Sequence, residues 1–560
     1  MSGKKRILPQ RRCNKNKKQI AFSSESCEVS EYDDTVDVVM LPYPESSDSE
    51  SENESNNSED VSDEDNDDEN EDNADENDDA DDENDVQEIV EKLLSYHEVK
   101  KSYSNTQKRL QEYHVYDWTD GEKKYDEIPY NKYLLKDKDR KMIANSTPVE
   151  LFEMFFCKNI KEYIIEASKF NGLDITIEEL NKFVAIIILS AFNKRTSEKD
   201  YWSKNELLES PVVRSLMSLK KFLKIKSKIK CSKPTDKNKK DRAWRVRAIL
   251  EIFRKNIKQF GFFQIGLSID EMMIKFFEFG ICGADGYLFN CDIYCGKGTH
   301  NNELSSIALG SQAVLSMSEA LLSSISRKKI EEYHLWFDNY YTNPDLLVHL
   351  KKLGLRATGV IRKDRIPVKN EIDKKAPRGT FKVQYEKNSG MNFVTVVDSK
   401  QVSIISTTAR VTPTKEVKRY SKEKKMITDI SMPLVFSLYN LFMGGVDLHD
   451  QYCSALLPII RSKRWTWLIL MRIIQSSIAN AVILYNACSG KKKVSAKKFA
   501  LSIVDSYVKN AKLGDLKNHN LRLTIRRRAC NEQGCATRTF YMCKECKKYY
   551  CSQCFANLHK

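Results

Sequence analysis

The first eighteen residues of this chain lack an apolar segment, and being basic and polar they predict no secretory signal. Internal repeats are absent as well. Nine of the fifteen cysteines are scattered between Cys13 and Cys488, which is typical of reduced thiols in an intracellular protein. The one long apolar segment, Trp465 to Tyr485, is interrupted by Arg472 and several polar residues. It therefore predicts a buried amphipathic helix and no membrane span.

Lysine and arginine are absent from Glu45 to Glu88, a stretch that holds 24 acidic residues. The total formal charge is +12, so the remaining residues carry +36. A surplus of this size favours a polyanionic partner, and nucleic acid fits better than a membrane surface. Residues 1–95 are also poor in aromatics, which predicts a disordered N-terminus that is first basic and then acidic. The acidic block either shields the basic body from non-specific DNA or only solubilises the chain.

Basic residues cluster at the start of the chain and are compatible with a two-part nuclear import signal, which predicts a nuclear protein. A simple basic tail is the alternative interpretation. The residues concerned are Lys4, Lys5, Arg6, Arg11, Arg12, Lys15, Lys17 and Lys18.

Two acidic residues follow a Gly-Gly pair within the string Tyr439 to Gln451. Asp447 and Asp450 are spaced i and i+3, which places both carboxylates on one face of a helix start. Carboxylates held in this way suit Mg²⁺, which prefers hard oxygen ligands. Taken alone, the pattern is also typical of a Gly-Gly turn capped by Asp447.

Two further acids each end a short apolar segment. Phe263 to Asp270 alternates apolar with small or polar residues and predicts a strand. The aromatic run Leu335 to Phe337 predicts a buried strand that ends at Asp338. Each acid, considered singly, is also typical of a turn or a helix cap.

The string Tyr439 to Gln451 closely resembles the signature of the piggyBac transposase family, and the segments ending in Asp270 and Asp338 resemble its other aspartate motifs. The resemblance covers about Gln107 to His559. It implies an α/β protein with a ribonuclease H-like catalytic core. Catalytic Asp270, Asp338 and Asp447 would bind Mg²⁺ (or Mn²⁺) there, supported by Asp450.

The resemblance also implies an order of domains. A helical dimerisation and DNA-binding domain is divided between 107–260 and 457–515. The catalytic core is divided between 261–365 and 431–456, with a β-rich insertion at 366–430. Helices are predicted at Thr147–Phe156, Ile175–Phe192, Val212–Ile225 and Ala243–Gln259, with a lysine-rich loop at Lys220–Lys240. Further strands are predicted at Tyr287–Tyr294, Phe381–Tyr385, Phe393–Val397 and Val402–Ser406.

One departure from the family pattern follows Asp270. Family members carry a second core strand before the next Gly-Tyr segment, and Ile274 to Tyr287 crosses that stretch directly. At about 3.3 Å per residue, the remaining chain predicts an incomplete central hairpin and a doubtful activity.

The predicted DNA-binding set includes one basic cluster beside aromatics, which could follow a DNA backbone. A basic run precedes Trp465 and Trp467; a solvated helix end is the alternative, and the resemblance favours DNA. The complete set is Arg362, Lys363, Arg365, Arg461, Lys463, Arg464, Arg526, Arg527 and Arg528.

The last 31 residues concentrate the other six cysteines, and two Cys-x-x-Cys pairs predict tetrahedral zinc. So short a segment has little core of its own, so zinc would have to stabilise it. The resemblance adds a preceding histidine as an eighth ligand, which gives about two Zn²⁺ in a cross-brace domain at 519–560. The predicted ligands are His519, Cys530, Cys535, Cys543, Cys546, Cys551, Cys554 and His559. The spacing alone also fits a RING-like or PHD-like module, while the neighbouring arginines favour DNA.

The sequence thus predicts a piggyBac-type DNA transposase or a domesticated derivative. By resemblance it would act as a homodimer on double-stranded DNA, at transposon terminal repeats with TTAA targets. One alternative is an inactive, transposon-derived DNA-binding protein. Another is a zinc-module adaptor or ubiquitin ligase.

Overall fold

The computed structural model of the chain describes residues 116–130, 133–239, 241–272, 278–293, 308–325, 327–373, 375–421, 425–490, 492–517, 521–544 and 546–558. The predicted disordered segment 1–95, with its basic cluster, lies outside these residues. A mixed α/β fold was expected, and it is confirmed.

The described helices fall mainly on either side of the strand-rich middle of the chain. They are α1 (Asp137–Asn145), α2 (Pro148–Phe155), α3 (Lys158–Lys169), α4 (Ile177–Phe192), α5 (Pro211–Leu216), α6 (Leu219–Lys228), α7 (Trp244–Ile257), α8 (Leu309–Leu322), α9 (Pro344–Lys352), α10 (Leu434–Phe442), α11 (Gly445–Ala455), α12 (Trp465–Cys488), α13 (Ala496–Lys517) and α14 (Ser552–Leu558).

The described strands form one nine-stranded sheet and two ribbons of two strands each. They are β1 (Trp118–Asp120), β2 (Gly266–Met272), β3 (Glu278–Gly283), β4 (Leu288–Ile293), β5 (His334–Phe337), β6 (Arg356–Val360), β7 (Phe381–Glu386), β8 (Asn392–Val397), β9 (Gln401–Ser406), β10 (Thr414–Ser421), β11 (Met426–Pro433), β12 (Leu521–Ala529) and β13 (Arg538–Cys543). The order in the large sheet is β1-β7-β8-β9-β6-β5-β2-β3-β4, and β10–β11 and β12–β13 are the ribbons.

Helix α2 begins where the sequence predicts. The Thr147 side chain accepts a hydrogen bond from the backbone N–H of Glu150, whose carboxylate accepts one from the Thr147 N–H. Pro148 occupies the first turn, where a missing N–H costs nothing. The same reciprocal cap opens α4 at Thr176 and Glu179.

The predicted helix Val212–Ile225 and the predicted loop Lys220–Lys240 are both wrong in their bounds. The helix is divided into α5 and α6, because Ser218 caps a new helix by accepting from the N–H of Lys221. Helix α6 then continues through the lysines to Lys228, since Phe222 and Ile225 bury one face of it. A lysine-rich composition therefore describes its solvent face and not a loop.

The central part of the sheet runs β6-β5-β2-β3-β4. Strands β2, β3 and β4 are successively antiparallel, whereas β5 and β6 run parallel to β2. Strand β9 pairs antiparallel with β6 and continues the sheet through β8 and β7, so the strands of the predicted insertion extend it. The domain boundaries themselves stay predictions.

The central hairpin is predicted to be incomplete, but its two described strands are paired. Strand β3 pairs with β2 over six residues, from Leu267 opposite Gly283 to Met272 opposite Glu278. It pairs on its other side with β4. The chain suffices because only residues 273–277 and 284–287 connect these strands, and the second connection contains a glycine, Gly286, with a φ of +86°.

Helix α12 is long and apolar enough to cross a membrane, but 94% of its apolar window is buried within the fold. Its polar residues have partners inside the protein. Asn480, for example, exchanges two hydrogen bonds of 2.9 Å with the backbone of Leu288 in β4. The helix is thus a core element that joins the sheet to the surrounding helices, as expected from its interrupted apolar run.

Candidate active site

Asp270 and Asp338 lie side by side at neighbouring positions of two parallel strands. Ile269 of β2 is in register with Phe337 of β5. Asp270 follows Ile269 directly, and Asp338 follows Phe337 directly. Neighbouring strands are about 4.8 Å apart, so the two carboxyl groups leave the sheet close together. The backbone N–H of Glu271 donates to Asp270 Oδ1 at 2.9 Å and fixes the orientation of that group.

Asp447 enters the same region from the first turn of α11. The helix start approaches β2 and β3 closely: a Cβ on Gly445 would stand 2.4 Å from the carbonyl oxygen of Gly283 and 2.6 Å from Ser268 Oγ. Only glycine fits there, which explains the second glycine of the Gly-Gly pair. Asp447 is thereby held beside the strand that carries Asp270.

His449 anchors the same helix from within the core. It is buried, and its Nδ1 donates to the carbonyl oxygen of Gly286 at 2.8 Å. The opposite ring nitrogen, Nε2, lies 2.9 Å from Ser476 Oγ in α12 and can accept from that hydroxyl. Burial lowers the pKa of His449 to about 3, so the ring is neutral and suited to these two roles.

The electrostatics show that the three acids share one environment. Burial raises the pKa of Asp270 to about 8, and the carboxylates of Asp338, Glu271 and Asp447 add to the rise. The pKa of Asp447 is also raised, mainly by burial and then by Asp450. Mutual repulsion of this kind is relieved either by a proton or by a cation.

The donor set fits a hard divalent cation, since all of the groups are carboxylate oxygens. Within the described residues, these oxygens do not approach one another to within 4.8 Å as a set of three. A shared cation would therefore draw the side chains together.

Asp450 is placed differently from the other acids. It is 6% exposed, and its Oδ1 accepts a hydrogen bond from Nη2 of Arg472 in α12. This contact joins α11 to α12 in the core. It gives Asp450 a structural partner, and its predicted service to a metal stays a prediction.

Arg365 supports the loop behind Asp338, and its predicted contact with DNA stays a prediction. Its Nη1 donates to three backbone carbonyl oxygens, those of Asn339 at 2.6 Å, Tyr340 at 3.0 Å and Thr342 at 2.9 Å. The N–H of Tyr340 in turn donates to Asp338 Oδ1 at 2.7 Å. The guanidinium thus fixes the turn that orients the second acid.

Two neighbours of Arg365 also make contacts within the protein. Arg362 Nε donates to Asn339 Oδ1 at 2.9 Å, and Lys363 Nζ donates to Gln401 Oε1 at 3.4 Å. Both side chains are largely exposed, and their predicted contacts with DNA stay predictions.

The cluster before α12 lines a basic groove of about 680 Å³. The predicted Arg461 and Lys463 are exposed there, opposite Lys220 and Lys224 of α6. Arg464 turns inward, and its Nη1 donates to the carbonyl oxygen of Ile229 at 2.8 Å. The groove is therefore built from two separate segments, with Arg464 joining them.

Four cysteines of the C-terminal segment form a candidate metal centre. The sulfur atoms of Cys530, Cys535, Cys551 and Cys554 all lie within 4.8 Å of one another. Hydrogen bonding with Thr537 lowers the pKa of the Cys535 thiol, whereas hydrogen bonding with Cys551 raises the pKa of Cys554, so Cys535 is the thiolate that the cluster favours before a metal binds. The soft sulfur donors fit Zn²⁺.

A second cysteine pair lies beside this centre in sequence. The N–H of Cys546 donates to Cys543 Sγ at 3.3 Å, as the N–H of Cys554 does to Cys551 Sγ at 3.4 Å. His519 and His559, the other predicted ligands, lie outside the described residues.

Comparison with known proteins shows which family the chain belongs to. Residues 147–482, more than half of the chain, match the family model described as transposase IS4. The chain belongs to this family. Human piggyBac transposable element-derived protein 3 is 27% identical over 454 residues, which span 74% of this chain and 75% of the relative. Human piggyBac transposable element-derived protein 2 is 24% identical over 398 residues, 65% of this chain and 66% of that protein.

This chain also matches a solved structure, the cryo-EM structure of a piggyBac transposase synaptic complex with hairpin DNA. The TM-score is 0.55 at 21% identity, over 66% of this chain and 82% of the other. The resemblance to the piggyBac family expected from the sequence is thus confirmed. The chain is a piggyBac-type transposase or a domesticated derivative of one.

Sequence reasoning missed several residues of this piggyBac-type chain. Glu271 adds to the negative charge around Asp270, and Tyr341 lies 1% exposed beside the acids, which together with burial raise its pKa. Glu271 directly follows Asp270, so adjacency was a usable signal. Lys220 and Lys224 were missed because their pairing with the groove depends on how two distant helices pack.

Proposed function

We propose that this chain cleaves and transfers DNA strands at transposon ends, with Asp270, Asp338 and Asp447 as its catalytic metal ligands. One observation carries the proposal: the register of β2 and β5 and the close approach of α11 bring these three acids into one region, where Asp270 and Asp338 are half-buried and Asp447 is exposed. The charges of Asp338 and Asp447 both add to the raised pKa of Asp270, and a bound cation would relieve this repulsion.

The core that carries them is proposed to be ribonuclease H-like. Three antiparallel strands, β2 to β4, continue into β5 and β6, which run parallel to β2. Asp270 lies on β2, and Asp338 directly follows β5. Asp447 lies on α11, which packs against β2. Because the described strands β2 and β3 are paired over six residues, the main reason to favour an inactive descendant is weaker.

The proposed metals are Mg²⁺ or Mn²⁺, which when bound would supply charge stabilisation at the attacking and leaving oxygens. The protein's part is to hold the acids. The neighbouring N–H groups orient Asp270 and Asp338, Arg365 fixes the loop, and Gly445 admits the helix that bears Asp447.

The reaction proposed is phosphoryl transfer in two steps. Water attacks the phosphodiester at a transposon end, and the bond to the 3′ oxygen breaks to release a 3′-hydroxyl. That hydroxyl then attacks a phosphodiester of the opposite strand within TTAA; the new phosphodiester bond closes a hairpin, and the bond to the flanking 3′ oxygen breaks to release a second 3′-hydroxyl. Both the TTAA target and the hairpin step rest on the family resemblance.

Double-stranded DNA is the proposed partner, bound by the groove of Lys220, Lys224, Arg461 and Lys463 and by the zinc module. The chain outside the acidic block carries +36, so affinity should fall steeply as salt displaces its phosphate contacts. About two Zn²⁺, a homodimer and a nuclear location complete the proposal. Affinity that does not change with salt would contradict the electrostatic part.

The deciding experiment is strand cleavage on duplexes with matched transposon ends. Asp338→Ala should abolish cleavage and leave DNA affinity unchanged, because a site that shares a cation fails as a unit. Asp505→Ala is the matched control, since this exposed acid pairs with a lysine one turn along α13, at 2.7 Å from Lys509. Normal cleavage by Asp338→Ala would refute the assignment of the acids.

Binding of Mn²⁺ provides a second readout that does not depend on activity. The wild-type chain should bind it, and Asp270→Asn, Asp338→Ala and Asp447→Ala should each weaken binding. A wild-type chain that binds DNA and Mn²⁺ but cleaves nothing would support the DNA-binding alternative.

A further inference from the structure

The ribbon β12–β13 contains a bulge that presents an apolar side chain to solvent. Leu523 is in register with Tyr541, and the next registered pair is Arg528 with Thr539. Four residues, 524–527, therefore lie opposite a single residue of the other strand. A bulge of this size lifts its residues out of the ribbon.

The bulge is fixed at both ends. Thr524 Oγ1 lies 2.7 Å from the carbonyl oxygen of Phe540 and 3.0 Å from that of Arg526. Arg527 Nε donates to the carbonyl oxygen of Arg538 at 3.0 Å, across the ribbon. These contacts make a defined projection.

Ile525 stands at the tip of this projection and is 100% exposed. Together with exposed Phe540 and Tyr541 on the facing strand, it gives the ribbon a group of exposed apolar side chains, the kind of surface that marks an interaction site. Its surroundings are strongly basic: the described residues 521–544 and 546–558 contain eight lysines and arginines and one acid. The partner that complements such a surface is a polyanion.

We infer that Ile525 is an apolar wedge that enters the minor groove of double-stranded DNA, with Arg526 beside it in the groove. Proteins that read the minor groove combine these two elements, a basic side chain and an inserted apolar one that partly unstacks a base step and kinks the duplex. The inference rests on the proposed function, because it assumes that DNA is the partner.

The cysteine centre gives the wedge a rigid base. Strand β12 leads directly into Cys530, whose N–H donates to the carbonyl oxygen of Thr537 at 2.8 Å. Cys530 is one of the four clustered sulfurs. Arg528 lies over the ring of Tyr549 at 5.5 Å and braces the same end of the ribbon. A wedge that must spread stacked bases needs such support.

The test uses the full chain with zinc and a short duplex that has a fluorophore at each end and a central A·T tract with TpA steps. Such steps are the easiest to kink. Energy transfer between the ends reports bending, and fluorescence anisotropy reports affinity. Leu523→Ala is the matched control, because Leu523 is also apolar and 71% exposed on β12 but lies in the paired part of the ribbon.

Wild type and Leu523→Ala should bend the duplex equally. Ile525→Ala should lose the bend and bind about tenfold more weakly, the scale of one lost apolar burial. Its salt dependence should not change, since every basic residue remains. Because Ile525 is fully exposed, zinc content and thermal stability should match wild type.

Two outcomes would overturn the wedge while leaving DNA binding intact. Ile525→Ala may bend and bind as wild type does, or it may alter only the sedimentation of the free protein, which would assign Ile525 to a contact between copies. Failure of the wild-type chain to bind any duplex would instead refute the proposed function, and the wedge with it.

Discussion

The backbone of Gly445 lies so close to the carbonyl oxygen of Gly283 that a Cβ atom there would stand only 2.4 Å away. The contact joins the helix that carries Asp447 to the strand next to Asp270. Since the obstruction would be backbone, the helix itself would have to move. The position of Asp447 therefore depends on the absence of a Cβ atom at residue 445.

Gly445→Ala should displace α11 and reduce both stability and cleavage. We expect a loss of about 1–3 kcal/mol in the free energy of unfolding, the usual scale of overpacking. Cleavage should fall much further than DNA affinity. Gly444→Ala is an adjacent control, because a Cβ there would meet nothing within 4 Å. Equal behaviour of the two variants would contradict the close-approach argument.

The pKa of Asp270 predicts how stability without metal depends on pH. Its value is about 8 in the folded chain, against an ordinary value of 3.8. Between those values the folded state holds a proton that the unfolded state has released, so stability falls as pH rises. Asp270→Asn should remove this loss and be more stable than wild type at pH 8 by roughly 2–4 kcal/mol.

Thermal unfolding in a chelator across pH 4 to 8 would measure this difference, with Asp505→Asn as the control. Added Mg²⁺ should stabilise wild type increasingly as pH rises, because the cation competes with the proton, and should do little for Asp270→Asn. Parallel curves for wild type and variant would show that Asp270 does not titrate in this range.

Local patterns predicted much of this fold. Helix starts such as Thr147 with Glu150 follow from neighbours in sequence, and the strands before Asp270 and Asp338 follow from short apolar runs. The short distance from Asp270 to the next Gly-Tyr segment predicts an incomplete hairpin, because it gives only the length of chain. It does not show that six residue pairs of β2 and β3 fit within that length.

The roles of the basic residues were harder to predict. Arg365 and Arg464 both belong to basic clusters that suggested DNA, yet both donate to backbone carbonyl oxygens inside the protein. A charged side chain forms hydrogen bonds within the protein when the fold places backbone carbonyl oxygens around it. Those carbonyls come from segments 23 to 235 residues away, so sequence spacing carries no sign of them.

Arg365→Ala should slow cleavage while sparing DNA affinity. The three backbone carbonyl oxygens that accept from Nη1 of Arg365 would lose this donor, so the loop behind Asp338 should loosen. A misplaced catalytic group typically costs about a hundredfold in rate. Lys363→Ala is the control from the same turn, and single-turnover cleavage with anisotropy separates the two effects. Weakened DNA binding with normal cleavage would show that Arg365 contacts DNA and does not position Asp338.

The buried pair of Asp450 and Arg472 predicts a stability effect that is not additive. Removing one partner leaves the other charge buried, so Asp450→Leu or Arg472→Leu should each cost about 3–5 kcal/mol. The double variant should lose less than the sum. Denaturant titration of the four proteins measures the coupling. Additive losses would separate the two residues and restore Asp450 as a candidate ligand.

Zinc content should distinguish the two halves of the cysteine-rich segment. Cys551→Ser breaks the cluster of four sulfurs and should remove about one zinc per chain. Cys546→Ser should remove a second zinc if the pair of Cys543 and Cys546 binds it with the two predicted histidines, and His519→Ala tests one of these. Cys488→Ser, outside the segment, should not change the zinc content.

Loss of metal should also unfold the cysteine-rich segment, because the small core around Cys530, Cys543 and Tyr550 is built largely of the cysteines themselves. Limited proteolysis should then cleave this segment and leave the remainder of the chain folded. Full zinc content in Cys551→Ser would refute the four-sulfur site.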